Sequence, residues 1–249
     1  MKTKLILSLT SAWVLTGVMA FAAPVTPNYD TFGTLSDATF GGLGIPNTSV
    51  AAVTKIANGT DTITLGLSAT PRYSNPALTD IHDGIFHATT GENDGLDGHV
   101  PPHSVGATWN FDFYFDATGG SYTYRLYYGT DASSLIYIDP ALIGDNAATP
   151  NHGGQNSENL DFGAWGTLAS FVINPLSFDP NANATYSFEL VALNADGTQQ
   201  LGETAINVVV GTGSPVPDTA SSALLLGLGC VGLLAFGFAQ KRLQVAANK

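Results

Sequence analysis

Trp109-Asn110-Phe111-Asp112-Phe113-Tyr114-Phe115-Asp116 alternates without a break, and this stretch decides the fold. A period of two places Trp109, Phe111, Phe113 and Phe115 on one face of an extended chain and Asn110, Asp112, Tyr114 and Asp116 on the other. Ala117-Thr118-Gly119-Gly120 follows as a turn, and residues 122–128 alternate again, with Tyr122, Tyr124, Leu126 and Tyr128 sharing a face. Working outward, residues 50–57 and 62–70 are β-branched or alternating runs separated by Asn58-Gly59-Thr60-Asp61, and an Asn-Gly pair in that setting predicts a hairpin. Residues 135–138, 185–193 and 204–210 read as further strands, the last two joined through Asn194-Ala195-Asp196-Gly197. Residues 162–173 are readable as a short helix or a buried strand.

No stretch between residues 23 and 217 sustains an apolar period of 3.6, and no internal repeat is present. Seven to ten short strands joined by hairpin turns predict an all-β domain, an antiparallel β-sandwich or jelly roll, over residues 30–210. Residues 23–29 form a lead segment before it.

The 249-residue chain carries a formal charge of −12, but residues 23–217 hold 19 acids against only Lys55, Arg72 and Arg125, or −16. Such a segment cannot neutralise phosphates, which excludes nucleic acid as a partner. Charged residues are 11% and hydrophobic ones 44% of the chain, a composition that builds a core rather than a disordered coil.

The remaining positive charge sits at the ends. Lys2 and Lys4 precede an apolar run over residues 5–18 and then Ala20-Phe21-Ala22, the three-part pattern of a secretory signal peptide at 1–22, with cleavage expected before Ala23. Residues 220–239 carry no charge, and 20 residues at 1.5 Å each match a bilayer core of about 30 Å. A transmembrane helix is therefore expected at 220–240. Lys241 and Arg242 begin a basic tail at 241–249, which favours the cytoplasmic side and leaves the acidic domain outside. Cys230, the single cysteine, lies in that span, so the domain contains no disulfide.

Residues 211–219 form a linker that ends in Val216-Pro217-Asp218-Thr219. This motif, the apolar helix and the basic cluster together resemble the PEP-CTERM sorting signal, in its Val-Pro-Asp-Ser/Thr variant. The resemblance covers about 30 residues at the C-terminus. Pro-Glu-Pro itself is absent, and Ala220 stands where the variant usually has Gly. It implies recognition by an exosortase-type processing enzyme and removal of the helix near the motif. The resemblance further implies an exported protein, anchored in the inner membrane before processing and then at the cell surface or in an extracellular, exopolysaccharide-containing biofilm matrix.

Candidate chemistry concentrates in residues 80–103, which hold His82, His87, His99 and His103 of the chain's five histidines. Glu92, Asn93, Asp94 and Asp97 could offer oxygen ligands to Ca²⁺ around Gly95 and Gly98, and the imidazoles could serve a transition metal. A solvated acidic loop accounts for the same residues. The EF-hand and His-Glu-x-x-His spacings are both absent.

Tyr114, Tyr122 and Tyr124 are the candidates for stacking on sugar rings, drawn from a pool that includes Tyr127, Tyr128 and Tyr137. Tyr also packs well on pleated sheets for purely structural reasons. Glu92, Asp94, Asp97, Asp112 and Asp116 could supply the carboxylate pair of a glycoside hydrolase. No Gly-x-Ser-x-Gly elbow, cysteine nucleophile or phosphate loop accompanies them in the domain. The reading is an exported, non-enzymatic surface or matrix protein, with a secreted carbohydrate-binding module and then a glycoside hydrolase as alternatives.

Overall fold

A computed structural model describes residues 23–40, 50–73, 75–93, 106–149, 153–161 and 178–212. The signal segment, the 162–173 run, the sorting motif Val216, Pro217, Asp218 and Thr219, and the apolar tail lie outside the described residues.

Fourteen strands are described, in chain order β1 (Thr31–Thr34), β2 (Val50–Asn58), β3 (Asp61–Pro71), β4 (Thr79–His82), β5 (Ile85–Ala88), β6 (Glu92–Asn93), β7 (Gly106–Ala107), β8 (Trp109–Ala117), β9 (Thr123–Gly129), β10 (Ile136–Ile138), β11 (Asp145–Thr149), β12 (Gly153–Glu158), β13 (Ala184–Leu193) and β14 (Gln200–Val210). The domain is all-β, with only two short 3₁₀ turns as helical structure among the described residues. A first sheet runs β1-β2-β3-β8-β12-β11, a second runs β10-β9-β13-β14-β5-β4, and β6 pairs with β7 apart from both.

The Asn58-Gly59 signal marks the β2–β3 hairpin, where Asn58 pairs with Asp61 across a two-residue loop. Gly59 takes φ +65°, which a side chain would resist, so glycine is the residue this turn needs. The expected antiparallel pairing holds throughout the first sheet but fails at one place in the second. There β14 and β5 run parallel, from Asn207 beside Ile85 to Val210 beside Ala88, because about 120 residues separate them and no hairpin constrains their direction.

Alternation in β8 does what the sequence requires of it. Trp109, Phe111, Phe113 and Phe115 are all at most 2% exposed, and they meet the inner face of the second sheet. Phe111 stacks on Phe188 at 4.6 Å between centroids, Trp109 lies 5.7 Å from Tyr186, and Phe115 lies 4.3 Å from Tyr124. Each such aromatic side chain removes 150–250 Å² from water, so this row is the main source of hydrophobic stabilisation between the sheets.

Residues 23–30 are tied into the domain rather than trailing before it. Val25 N–H donates to Ser187 Oγ at 3.0 Å, Asn207 Nδ2 donates to the Val25 carbonyl at 2.8 Å, and Asn28 exchanges backbone hydrogen bonds with Ala205. Asp30 N–H then donates to Val53 on the other sheet at 2.9 Å. This strap links the two sheets and leads into β1.

Candidate functional site

The second sheet turns its inner residues into the core, so the alternate positions of its strands form an outer face. On edge strand β10 that position is Tyr137, 59% exposed and one of two large exposed hydrophobic residues among those described. Register carries the row inward: Tyr137 faces Tyr127 on β9, Tyr127 faces Glu189 on β13, and Glu189 faces Ala205 on β14. Three inter-strand steps make this row about 14 Å long. The two tyrosine rings sit 5.6 Å apart and are tilted by 50°.

A second row lies one residue pair along, with Arg125 facing Val191 and Val191 facing Glu203. The Arg125 guanidinium stands 5.3 Å from the Tyr137 ring centre and donates to the Gly197 carbonyl at 3.3 Å. One face of Tyr137 is thus held by a cation and the ring is fixed in place.

Glu189 and Glu203 are diagonal neighbours on the outer face, Glu189 opposite Ala205 and Glu203 opposite Val191, close enough for their carboxyls to interact. Partial burial first, and then the hydrogen bond and negative charge of Glu203, push the Glu189 carboxyl up to about 7. Asn28 Nδ2 donates to Glu203 Oε1 at 3.0 Å and Gln200 Nε2 donates to Oε2 at 2.6 Å. Glu203 also forms one wall of an open cleft of about 480 Å³, whose other polar lining includes Asn28, Asp30, Lys55 and Gln200. The face therefore carries a tyrosine pair and a carboxyl pair, with the buried Val191 and Ala205 beside them and the Asn28 and Gln200 amides engaged on Glu203.

The sequence candidates fall elsewhere. Tyr122 and Tyr124 are 7% and 4% exposed and belong to the core, so neither presents a ring face to solvent. Tyr114 is half-buried on the outer face of the first sheet, packed against a small cluster that contains Leu35, Phe40 and Val53. Glu92 is exposed in β6, Asn93 is its neighbour there, and Asp94 and Asp97 lie outside the described residues together with His99 and His103. Among the described residues no group of three or more His, Cys, Asp or Glu side chains is arranged to hold a metal ion.

Asp112, a candidate for the carboxylate pair of a glycoside hydrolase, is fully buried on the outer side of β8. Asn159 Nδ2 donates to Asn110 Oδ1 at 2.8 Å, Asn110 Nδ2 donates to Ser157 Oγ at 3.1 Å, and Thr70 Oγ1 donates to Asp112 Oδ1 at 3.1 Å. Asp112 Oδ2 has no hydrogen-bond partner among the described residues. Burial pushes its carboxyl up to about 7, against the opposing pull of the Ser157 and Thr70 hydroxyls. Asp112, Thr70, Asn110 and Asn159 in this network are buried, and only Ser157 is partly exposed.

Glu189 and Glu203 escaped the sequence reading, although one signal was there. Glu189 is the only charged residue of β13, and a lone acid in an apolar strand marks the position where the outer face must accept a carboxylate.

No protein-family model matches the chain, and no curated protein or solved structure matches it.

Proposed function

We propose that this chain is an exported, non-enzymatic protein of the cell surface or extracellular matrix that holds polysaccharide on the outer face of its second sheet. The observation that carries the binding part is the row Tyr137, Tyr127 and Glu189, with Tyr137 59% exposed and braced by Arg125. Sugar rings present apolar C–H faces that stack on tyrosine and hydroxyl groups that bond to carboxylates and amides, and this band supplies both. The −16 of residues 23–217 repels an anionic polymer, so the ligand class is an uncharged polysaccharide.

Export and surface location are supported by the sequence of the ends: the basic and apolar start with Ala20-Phe21-Ala22, and the tail Val216-Pro217-Asp218-Thr219 followed by an uncharged run and Lys241-Arg242. In this reading an exosortase-type enzyme cuts near Pro217 and releases the acidic domain from its membrane anchor.

Affinity electrophoresis of the mature protein through gels containing the host's own neutral polysaccharide tests the binding. Retardation that Tyr137→Ala weakens about tenfold without altering the melting temperature supports it; unretarded migration on every neutral glycan overturns it. Intact mass of the mature protein tests the processing, which requires that residues after about Pro217 be missing.

A further inference from the structure

The strap of residues 23–30 begins at the residue where the expected export cleavage would leave a new chain end. Ala23 is exposed, and its backbone is held beside Asp131. Its carbonyl accepts from Ala132 N–H at 2.7 Å, which sets its N–H near the Asp131 carboxylate, and that proximity adds to the Ser133 contacts that hold the carboxyl below its ordinary range. Asp131 also accepts from Ser133 N–H at 3.0 Å and from the Ser133 hydroxyl at 2.9 Å, which fixes the carboxylate in place. Beyond Ala23 the strap is pinned at Val25, Asn28 and Asp30, so its first residue cannot drift far from Asp131.

We infer that cleavage between Ala22 and Ala23 creates an ion pair between the new α-ammonium group and Asp131, which clamps the strap to the second sheet. The inference rests on the export reading above. In hydrolysis the bond between the Ala22 carbonyl carbon and the Ala23 nitrogen breaks. Water gives its hydroxyl to the acyl carbon, which becomes a carboxylate, and its protons leave the nitrogen as an ammonium. A neutral amide with one N–H becomes a cation with three, and at neutral pH an α-amino group is largely charged. Opposite charge at hydrogen-bond distance then strengthens a contact that the precursor makes only as a neutral donor.

The surroundings favour this. Residues 23–217 hold only three basic side chains, so the ammonium is a fourth cation in a strongly acidic field. The clamp also acts where it matters, because the strap bridges the two sheets through Ala205 and Val53. Processing would thus tighten the domain only after export.

The test inserts Gly-Ser between Ala22 and Ala23 of the full precursor, which leaves Ala20-Phe21-Ala22 intact and moves the charge two residues away from Asp131. Mature proteins are purified from the native host with and without the insertion, each also as Asp131→Asn. For an exposed pair the insertion should lower the melting temperature by about 1–3 °C at low salt, and should lower it no further when Asp131→Asn is already present. Amide exchange at Val25 and Asn28 should quicken in the same variants. A mature mass that does not begin at Ala23 overturns the export reading and the clamp with it. A mature Ala23 terminus with an unchanged melting temperature, or an equal loss in the Asp131→Asn background, overturns the clamp alone.

Discussion

The ring of Phe115 occupies the space that a side chain on Gly154 would need: a Cβ there would stand 2.7 Å from Phe115 Cζ and 3.1 Å from Cε1. The two residues face each other in the β8–β12 pair, and Phe115 is 2% exposed in the core, so its ring has little room to move. Gly154→Ala should destabilise the domain by roughly 1–3 kcal/mol through overpacking while leaving the far-ultraviolet circular dichroism spectrum unchanged. Urea unfolding would show this as a lower midpoint at constant slope, and an unshifted midpoint would count against it.

The same contact explains what the sequence could and could not reveal. β8 and β9 were legible because their alternation is carried by aromatic residues, and the hairpin at Gly59 because a short turn demands glycine. β12 reads Gly-Gly-Gln-Asn-Ser-Glu, without one apolar residue, yet it pairs with β8 along its whole length. Gly154 accepts the ring of Phe115 and Gly153 the carboxylate of Asp116, both from another strand, and such a partnership leaves no periodic mark on the strand itself. The site was half legible for a related reason: tyrosines in strands are visible, but only the register between distant strands decides that Tyr137 and Tyr127 face solvent while Tyr122 and Tyr124 face the core. Glu189 and Glu203 lie on strands joined by a hairpin, and nothing in the spacing alone says that their carboxyls meet.

Tyrosines on the two sides of the second sheet should behave in opposite ways. Tyr137→Ala removes an exposed ring at the sheet edge and should change stability by less than about 0.5 kcal/mol while weakening glycan retention about tenfold. Tyr124→Ala empties core space beside Phe115 and should cost roughly 3–5 kcal/mol. The Tyr124 hydroxyl is buried without a partner among the described residues, so Tyr124→Phe should be neutral or stabilising by about 1 kcal/mol. Thermal melts and affinity gels on the three variants separate binding from packing, and a destabilised Tyr124→Phe would refute the unpaired hydroxyl.

Asp112 makes the protein weaker as the pH rises. Its carboxyl ionises near the ordinary value of 3.8 in the unfolded chain but only at about 7 in the folded one. Between those values the folded state binds more protons, so the contribution is fully present at low pH and is lost as the pH climbs through about 7. Asp112→Asn keeps the shape and removes the buried charge. At pH 8 it should therefore stabilise the fold relative to the parent by as much as about 4 kcal/mol, and at pH 4 by little. Chemical denaturation at the two pH values measures the difference, and equal effects at both would show that Asp112 is not neutral in the folded protein.

Glu189 titrates in the same window for a different reason, and the two can be told apart. It is partly exposed, and its carboxyl rises to about 7 through partial burial and the neighbouring Glu203, with Tyr127 facing it from β9, Arg125 one register pair along opposite Val191, and Asn28 and Gln200 holding Glu203. Here too the folded state keeps a proton that the unfolded chain releases near 4.5, so stability falls as the pH rises through neutrality. Glu189→Gln should flatten that part of the melting-temperature profile. Glu203→Gln should remove the repulsion but not the burial, and so should flatten it only in part. Asp112 lies on the other sheet and shares no partner with this pair, so the slopes removed by Asp112→Asn and Glu189→Gln should add in the double variant. Melting profiles from pH 4 to 8 on the parent and the four variants check this. A Glu203→Gln profile identical to the parent would show that the two carboxyls do not interact, and the band from Tyr137 to Glu203 would lose its shared proton.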